Sequence, residues 1–383
     1  MMAVEAIRRG IQDFIGAARP SIADPFLPQK IAEGREDEIR ECIGCNICRS
    51  ANNEAVHLRC TQNPTMGEEW RMGWHPEIIT AKHADAKVLV VGAGPAGLEA
   101  SLSLARRGYE VMLAEKDRDL GGRIRRESSL PGLGNWIRVR DYRQHMLSKL
   151  TNVEIFRGSE LTADDIADLG VQHVVLATGS QWRRDGIGAI GAIGEEAADL
   201  PGALTPDDVF AGAPVNGPVV IYDDEHYFMG GALAERLNLA GHDVTLVTTM
   251  PVVSSWAAMT DEQGFIQKKL IELGVTLRLS QRLAARGRDH ADLACTYTGR
   301  EDKVPCGTLV LVTGRLPVDR LYTDLAARGD LGLSTLVRIG DCLAPALIAD
   351  AVYGAHRFAR GFGGAPANAP LRRERPALGS MTI

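Results

Sequence analysis

The apolar residues of this chain fall into short runs, separated by turns and by stretches with helical spacing. The clearest runs are residues 87–91, 110–114, 171–177, 218–222, 242–247 and 308–313. Runs of this kind are typical of strands that are buried on both faces of a parallel sheet. Helical spacing over residues 96–107 and 230–240 lies between neighbouring runs, so the pattern predicts two βαβ units. We therefore expect an α/β fold with two Rossmann-like domains in tandem.

The N-terminal part of the chain has a less regular pattern. It predicts a helix over residues 3–9, a buried strand over residues 13–20 and a short helix that ends near Gly34. One strand and two helices cannot bury a core by themselves, so this segment must pack on the rest of the chain or on a partner. Pattern and composition divide the chain into four parts: residues 1–34, residues 35–83, residues 84–190 with 315–383, and residues 191–314.

Length and charge exclude several classes of protein. The chain has 383 residues, of which 45% are hydrophobic and 24% are charged, an ordinary globular composition. Its formal net charge is −6, so the chain lacks the overall positive charge that is typical of nucleic-acid-binding proteins. No uncharged apolar run approaches the ~18 residues that span a bilayer, and the N-terminus lacks a signal-peptide core. We expect a cytoplasmic protein with neither a nucleic-acid partner nor a membrane partner.

Four of the seven cysteines are crowded into one short stretch, with three of them at steps of three residues. They are Cys42, Cys45, Cys48 and Cys60. Thiolates at this spacing can wrap one face of a [4Fe–4S] cluster while a fourth ligand closes the site. A structural zinc is the alternative, although zinc ribbons usually use two separated pairs of cysteines. The other cysteines are expected to be buried and unreactive; they are Cys295, Cys306 and Cys342.

A glycine-rich turn follows the first predicted strand. Gly92, Gly94 and Gly97 have the spacing G-x-G-x-x-G, and Glu115 ends the next strand. With a strand before it and a helix after it, this turn is a strong fingerprint for a dinucleotide pyrophosphate. Glu115 is expected to accept hydrogen bonds from the adenosine ribose, which disfavours NADP. The candidate residues of this site are Gly92, Gly94, Pro95, Ala96, Gly97, Glu115, Lys116, Gly122, Arg123, Thr178, Gly179, Gly340 and Asp341.

The corresponding turn of the second βαβ unit has lost its first glycines. Asp223, Asp224 and Tyr227 stand where close backbone approach to a pyrophosphate would be needed. Two acids would repel the phosphates, so we expect this half to keep the fold but to bind NAD(H) poorly or not at all. The alternative is an NAD site with unusual chemistry.

Several motifs along the chain resemble those of the trimethylamine and dimethylamine dehydrogenases. They are residues 13–28, 42–48, 60–63, 67–69, 73–76, 130–134, 227–229, 339–341 and 347–350. The similarity runs across nearly the whole chain. The wider family includes histamine dehydrogenase and the iron–sulfur flavoprotein dienoyl-CoA reductases.

The resemblance implies a larger architecture than this chain contains. Members of the family carry a (β/α)8 barrel with FMN, a [4Fe–4S] cluster and two domains like those of flavoprotein disulfide reductases. Residues 1–34 correspond to the last strand and helix of such a barrel, residues 35–83 to the cluster-binding segment, and the remainder to an FAD- or ADP-binding domain with an inserted second domain. Arg19 would help to hold the FMN phosphate if a barrel subunit, or a missing N-terminal half, completed the site.

The resemblance also implies a reaction. An oxidoreductase of this kind carries out oxidative N-demethylation of a secondary or tertiary amine and passes electrons through the cluster to an electron-transferring flavoprotein. Two alternatives remain: an NAD(P)H-dependent iron–sulfur flavoprotein reductase subunit, and a non-catalytic, ADP-bound scaffold subunit. We expect the chain to be part of an oligomer, and its sequence spacing assigns no catalytic residue.

Overall fold

The computed structural model describes residues 2–190, 200, 202–329 and 331–364. The part before residue 84 is helical and irregular. Its helices are α1 (Met2–Arg8), α2 (Ala18–Ala23), α3 (Leu27–Ala32) and α4 (Ile47–Asn53). Short 3₁₀ helices occur along the chain at Glu36–Glu38, Gly134–Ile137, Ser255–Ala258 and Gly340–Cys342.

The buried strand expected at residues 13–20 is wrong. This segment is irregular up to the start of α2, and the side chains of Ile11 and Phe14 are 70% and 89% exposed. A strand needs a hydrogen-bonded neighbour for its backbone groups. Within the described residues, no strand pairs with this segment, so its apolar side chains face solvent.

The first nucleotide-type unit alternates strands and helices as the sequence pattern indicates. Its elements are β1 (Lys87–Val91), α5 (Pro95–Arg106), β2 (Glu110–Glu115), α6 (Arg123–Glu127), α7 (Arg138–Ser148), β3 (Val153–Arg157), α8 (Ala163–Leu169), β4 (His173–Leu176) and β5 (Ser180–Trp182). Pro95 occupies the first turn of α5, where a missing backbone N–H costs nothing.

The helices and strands of the second unit begin after residue 200. Its elements are α9 (Pro206–Phe210), β6 (Val219–Asp223), α10 (Met229–Leu239), β7 (Val244–Thr248), α11 (Gln263–Glu272), β8 (Thr276–Arg278), β9 (Gln281–Arg286), β10 (His290–Cys295), β11 (Glu301–Pro305) and β12 (Thr308–Val312). The chain then returns to the first unit. The returning elements are β13 (Arg315–Pro317), α12 (Arg320–Ala326), β14 (Thr335–Arg338) and α13 (Ile348–Gly361).

Two parallel sheets carry the fold. The first has the strand order β14-β4-β1-β2-β3, and the second has the order β12-β6-β7-β8. The central strands β1, β4, β6 and β12 are almost entirely buried, because helices or a further sheet cover both faces. An antiparallel sheet, β11-β10-β9, and the pair β13-β5 complete the structure. Ligands of such folds bind at the carboxyl ends of the strands where the order reverses, which here lies between β1 and β4.

The expected α/β class with tandem Rossmann-like units is confirmed. The four-part division of the chain remains a prediction, and residues 191–199 and 365–383, which it assigns to the second and first nucleotide domains, lie outside the described residues. No helix in the described part of the chain combines the length and the apolar composition needed to cross a membrane.

A buried network joins the cysteine-rich segment to the first nucleotide-type unit. The Arg143 guanidinium on α7 donates to the Glu99 carboxylate of α5 at 2.8 Å and to the side-chain oxygen of Gln62 at 2.9 Å. His356 on α13 and Ser103 on α5 also contact Glu99, at 2.8 and 2.9 Å. Burial alone would raise the pKa of Glu99, but Arg143 and His356 outweigh it and lower that pKa to about 2. The carboxylate is therefore ionised, and both of its oxygens take part in the hydrogen bonds of this junction.

Replacement of Arg143 tests this junction. Arg143→Met leaves a buried carboxylate without its cation, so we expect the free energy of unfolding to fall by about 3–5 kcal/mol. The measurement is urea unfolding. The matched control on the same helix is Arg140→Met, whose partner Asp141 is exposed, and a loss of at most about 1 kcal/mol is expected there. Equal losses in the two variants would contradict a special role for the buried pair.

Candidate cofactor sites

The turn after β1 has the tight geometry that its glycines suggest. Gly92 has φ +100, and a Cβ atom on it would lie 2.4 Å from the Ala177 carbonyl oxygen. A Cβ on Gly97 would lie 1.8 Å from the Gly92 carbonyl oxygen, so helix α5 could not approach the strand. Gly94, by contrast, faces open space, with no atom within 4 Å of a Cβ placed there. Two of these glycines thus serve the fold, and Gly94 leaves room for a ligand.

The acid at the end of β2 lies beside this turn. The Glu115 carboxylate is buried and accepts hydrogen bonds from the backbone N–H groups of Ala93, at 2.6 Å, and Asp117, at 3.0 Å. These contacts fix the side chain next to the N-terminus of α5, where Pro95 and Ala96 begin the helix. The neighbouring Lys116 is exposed. The structure therefore brings together the glycine-rich turn and the acid that the sequence predicts to bind a pyrophosphate and a ribose.

The remaining candidate residues of the first unit surround the same turn. A Cβ on Gly122 would lie 3.1 Å from the Gly94 Cα, and one on Gly340 would lie 2.6 Å from the Ala96 Cβ. The Thr178 hydroxyl donates to the Val318 carbonyl oxygen at 2.6 Å, and the adjacent Gly179 has φ +80. These residues close the site from both sides.

Asp341, the last acid of the fingerprint, is already held by protein groups. One of its oxygens accepts hydrogen bonds from Ser180 Oγ at 2.8 Å and from Arg315 Nη1 at 2.5 Å, and the other accepts from the Ala346 N–H at 3.2 Å. The Arg123 guanidinium lies 3.5 Å away. Both arginines also donate to the Ala346 carbonyl oxygen. Sequence reasoning did not identify Arg315 or Ser180, because neither belongs to a local motif.

The four clustered cysteines line one cavity, together with Arg19, Asn46 and Thr61. Gly44 has φ +73 and Asn46 has φ +53, which turns the chain tightly between the cysteines before α4 begins. Burial raises the pKa of the Cys45 thiol to about 11, and the Thr61 hydroxyl lies 3.1 Å from its sulfur. Among the described residues, no group of three or more His, Cys, Asp or Glu side chains is arranged to hold a single metal ion.

Arg19 lies at the edge of this cavity. Its guanidinium donates to the side-chain oxygen of Asn46. The side-chain nitrogen of Asn46 in turn donates to the Thr260 carbonyl oxygen at 3.0 Å. Arg49, on α4, pairs with Asp261 at 2.8 Å. The cysteine-rich loop is therefore fixed against the second nucleotide-type unit as well as the first.

The turn after β6 is filled by its own acids. The Asp223 carboxylate is fully buried, accepts from the N–H groups of Glu225 and His226, and leaves no space at Gly230, where a Cβ would lie 2.5 Å from its carboxyl carbon. Asp224 accepts from Thr249 and from the Ile190 N–H, each at 3.1 Å. A Cβ on Gly188 would lie 2.2 Å from an Asp224 oxygen. Side chains and a neighbouring loop occupy the region that a dinucleotide would need.

One of the three cysteines outside the cluster is less buried than expected. Cys306 and Cys342 are buried, but Cys295 is partly exposed. Cys295 ends the antiparallel strand β10, one residue before the turn to β11. A hydrogen bond with Thr298 lowers the pKa of its thiol. The expectation that Cys295 is buried is therefore wrong, because the strand end is partly open to solvent, whereas the expectation that its thiol is unreactive remains a prediction.

Glycine-to-alanine variants separate the folding role of the turn from its ligand-binding role. Gly94 has φ −73 and ψ −175, which alanine adopts readily, so Gly94→Ala should fold normally and weaken ADP binding by at least about tenfold, or ~1.4 kcal/mol. Gly97→Ala should fail to fold stably. Urea unfolding measures the stability, and calorimetric titration measures the affinity for ADP. The control is Gly354→Ala on α13, because a Cβ at Gly354 also faces open space. Unchanged ADP affinity in Gly94→Ala would contradict the assignment.

Known proteins place these features in a family. The family described as "Pyridine nucleotide-disulphide oxidoreductase" matches residues 86–333. Dimethylamine dehydrogenase from Hyphomicrobium sp. is 40% identical over 98% of this chain and 56% of that protein. NADH oxidase from Thermoanaerobacter brockii is 33% identical over 91% of this chain and 52% of its own length. The chain spans about half the length of these curated relatives.

Among solved structures, histamine dehydrogenase from Rhizobium sp. 4-9 superimposes with a TM-score of 0.93 and 47% identity, covering 98% of this chain and 56% of that one. The resemblance to the trimethylamine and dimethylamine dehydrogenases, seen in the motifs of the sequence, is thereby confirmed. With its paired parallel sheets and its glycine-rich turn after β1, the chain belongs to the pyridine nucleotide-disulphide oxidoreductase family.

Proposed function

We propose that this chain is the electron-transfer part of an iron–sulfur flavoprotein that oxidises amines by N-demethylation. The observation that carries the proposal is that four cysteines line one cavity in the segment that packs on the unit with the glycine-rich turn. The name of the Hyphomicrobium relative gives the substrate class, a secondary amine. The whole enzyme includes residues beyond this chain, since the relatives are nearly twice as long.

The cysteine cavity has the donor set that a [4Fe–4S] cluster requires. Cys42, Cys45, Cys48 and Cys60 would each supply one thiolate, and the cluster when bound would supply one-electron transfer. The Gly44 N–H donates to the Cys42 sulfur at 3.4 Å, a contact that stabilises negative charge on the thiolate. A cluster spreads its metal atoms, so its four sulfur ligands need not converge on one point. A zinc ion would require that convergence, which favours the cluster.

For the first nucleotide site we infer ADP rather than FAD. Gly94 and the N-terminus of α5 would bind the pyrophosphate, and Glu115 would accept hydrogen bonds from the ribose. An FAD ribityl chain would continue towards Asp341. That carboxylate is engaged by Arg315, Ser180 and the Ala346 N–H, so a ribityl chain would have to displace buried ionic contacts. Membership of the family indicates flavin chemistry in the complete enzyme, and we assign it to FMN on a barrel.

The barrel would be a separate FMN-barrel subunit or the remainder of a longer protein. The exposed residues Ile11 and Phe14 lie just before α2, which carries Arg19. Arg19 contacts Asn46 beside the cysteine cavity. An FMN phosphate bound by Arg19 would therefore lie near the cluster, so the amine-derived electrons would pass one at a time to the cluster. An electron-transferring flavoprotein would then accept them.

The packing of the second nucleotide-type unit speaks against an NADH-fed reductase. Asp223 fills the turn at Gly230, and Asp224 contacts the loop that contains Gly188. A dinucleotide phosphate would meet buried carboxylates there. An NADH oxidase is nevertheless among the relatives, so the reaction with NADH is tested directly.

The composition of the anaerobically purified chain tests the proposal. We expect four iron and four sulfide per chain, a released nucleotide that co-elutes with ADP, and no change in the visible spectrum when NADH is added. FAD in place of ADP would overturn the nucleotide assignment. Bleaching by NADH would favour the reductase alternative. Zinc in place of iron would overturn electron transfer altogether.

Substitution of single cysteines tests the ligand set. Cys45→Ser removes a soft thiolate ligand, so we expect the iron content to fall by at least about half and the visible absorption of the cluster to be lost. Iron analysis and the visible spectrum measure this. Cys295→Ser, at the partly exposed end of β10, is the control and should retain full iron content. Full iron content in Cys45→Ser would show that this cysteine is not a ligand.

A further inference from the structure

A second cavity lies between the cysteine-rich segment and the two nucleotide-type units. Cys45 and Thr61 line one side of it. Glu127 of α6, Glu225 of the turn after β6, and Arg315 of β13 line another side. The cavity thus places buried carboxyl groups within reach of the charge on a proposed cluster ligand.

Two carboxylate oxygens of residues that line this cavity, and a third on Asp223 near Glu225, are buried without a hydrogen-bond partner among the described residues. They are Glu127 Oε2, Asp223 Oδ2 and Glu225 Oε2. Glu127 is 2% exposed, and only its other oxygen is paired, with Arg123 at 3.1 Å. An ionised carboxylate oxygen without a donor costs far more free energy in such a place than a neutral, protonated carboxyl group does. The three oxygens therefore point to a bound proton.

Charge counting leads to the same conclusion. Four carboxyl groups, those of Asp223, Glu127, Glu225 and Asp341, face two guanidinium groups, those of Arg123 and Arg315. The two arginines can balance only two carboxylates. The other titratable groups near this set are the buried pair Asp224–His226 and, close to Glu225, Tyr227. Glu262 and Cys45 lie close to Tyr227. They do not supply the missing positive charge, because Asp224 already pairs with His226.

Burial raises the pKa of all three carboxyl groups. Burial, together with the nearby carboxyl groups of Asp223 and Glu127, raises the pKa of Glu225 to about 7. Burial raises the pKa of Asp223 to about 6. Of these two groups, Glu225 exchanges its proton nearer to neutral pH, and unlike Asp223 it lines the cavity beside Cys45.

We propose that Glu225, supported by Glu127 and Asp223, is a proton-binding site coupled to the charge of the cluster held by the four cysteines. The proposal rests on the proposed function, since it requires the cluster. Above about pH 7, when one electron would enter the cluster from an external reductant, one proton passes from a hydronium ion or buffer acid to the Glu225 carboxylate. The O–H bond that forms on Glu225 replaces the bond that breaks in the proton donor, and the net charge of the buried region is unchanged.

The direction of the pH dependence follows from this coupling. Below about pH 7 the carboxyl group is protonated whether the cluster is oxidised or reduced, so the midpoint potential is constant. Above that pH the oxidised form loses the proton, and the added negative charge of reduction recovers it. The midpoint potential therefore falls as pH rises above neutrality.

Mediated redox titration of the anaerobically purified chain, followed by electron paramagnetic resonance, measures this potential from about pH 6 to about pH 9. We expect Glu225→Gln to be independent of pH and to match the low-pH value of the wild type, because glutamine mimics the protonated group. Glu127→Gln removes a neighbouring negative charge, so the onset of the pH dependence should move to lower pH. Glu272→Gln, on the exposed face of α11, should keep the wild-type profile.

Each outcome separates the two proposals. A flat profile in the wild type, or an unchanged slope in Glu225→Gln, would overturn the proton site while leaving the cluster intact. A preparation without iron would give no signal to titrate and would overturn the proposed function instead. An unchanged onset in Glu127→Gln would remove that residue from the site and contradict the coupled set.

Discussion

The buried contact between Arg143 and Glu99 joins the parts of this molecule that must act together. Glu99 belongs to the helix that follows the glycine-rich turn. Arg143 links it to Gln62, which lies two residues after Cys60, the last of the four clustered cysteines. Because His356 contacts the same carboxylate, the C-terminal helix is tied into the junction as well. The loop with the cysteines is thus positioned by the nucleotide-binding fold and not by its own short helix. Electron transfer depends on fixed separations, so a rigid junction of this kind suits the proposed role.

Charge governs the region between the cysteines and the nucleotide site. Arg123 and Arg315 neutralise Asp341, and this same pairing removes the carboxylate from reach of a ribityl chain. The arrangement links two proposals, the assignment of ADP to the first nucleotide site and the proton-binding site on the neighbouring cavity. Arg315 is common to both, because it donates to Asp341 and also lines the cavity with Glu127 and Glu225.

The sequence predicts the strands and the glycine-rich turn well, because both depend on local spacing that the fold preserves. The position of Gly94, open to a ligand, and the clash that would arise at Gly97 follow from the same spacing. The contacts of Arg315 and Glu225 could not be found in this way, since they form only when distant segments pack. The strand expected at residues 13–20 fails for a related reason: apolar residues indicate burial, but the partner that would bury them is not among the described residues. The partly exposed Cys295 shows that the position of a residue in its strand can outweigh the tendency of its type.

The filled turn of the second unit has a consequence for how this protein can evolve. A lost binding site is recovered easily when one residue blocks it, because a single reversal restores the space. Here Asp223 occupies the turn at Gly230, while Asp224 receives the loop around Gly188 and the Ile190 N–H. Replacing either acid alone leaves the other obstruction in place and strands buried N–H groups without an acceptor. If the second unit binds no dinucleotide, as proposed above, a gain of binding there would need several simultaneous changes, and single substitutions would not reach it.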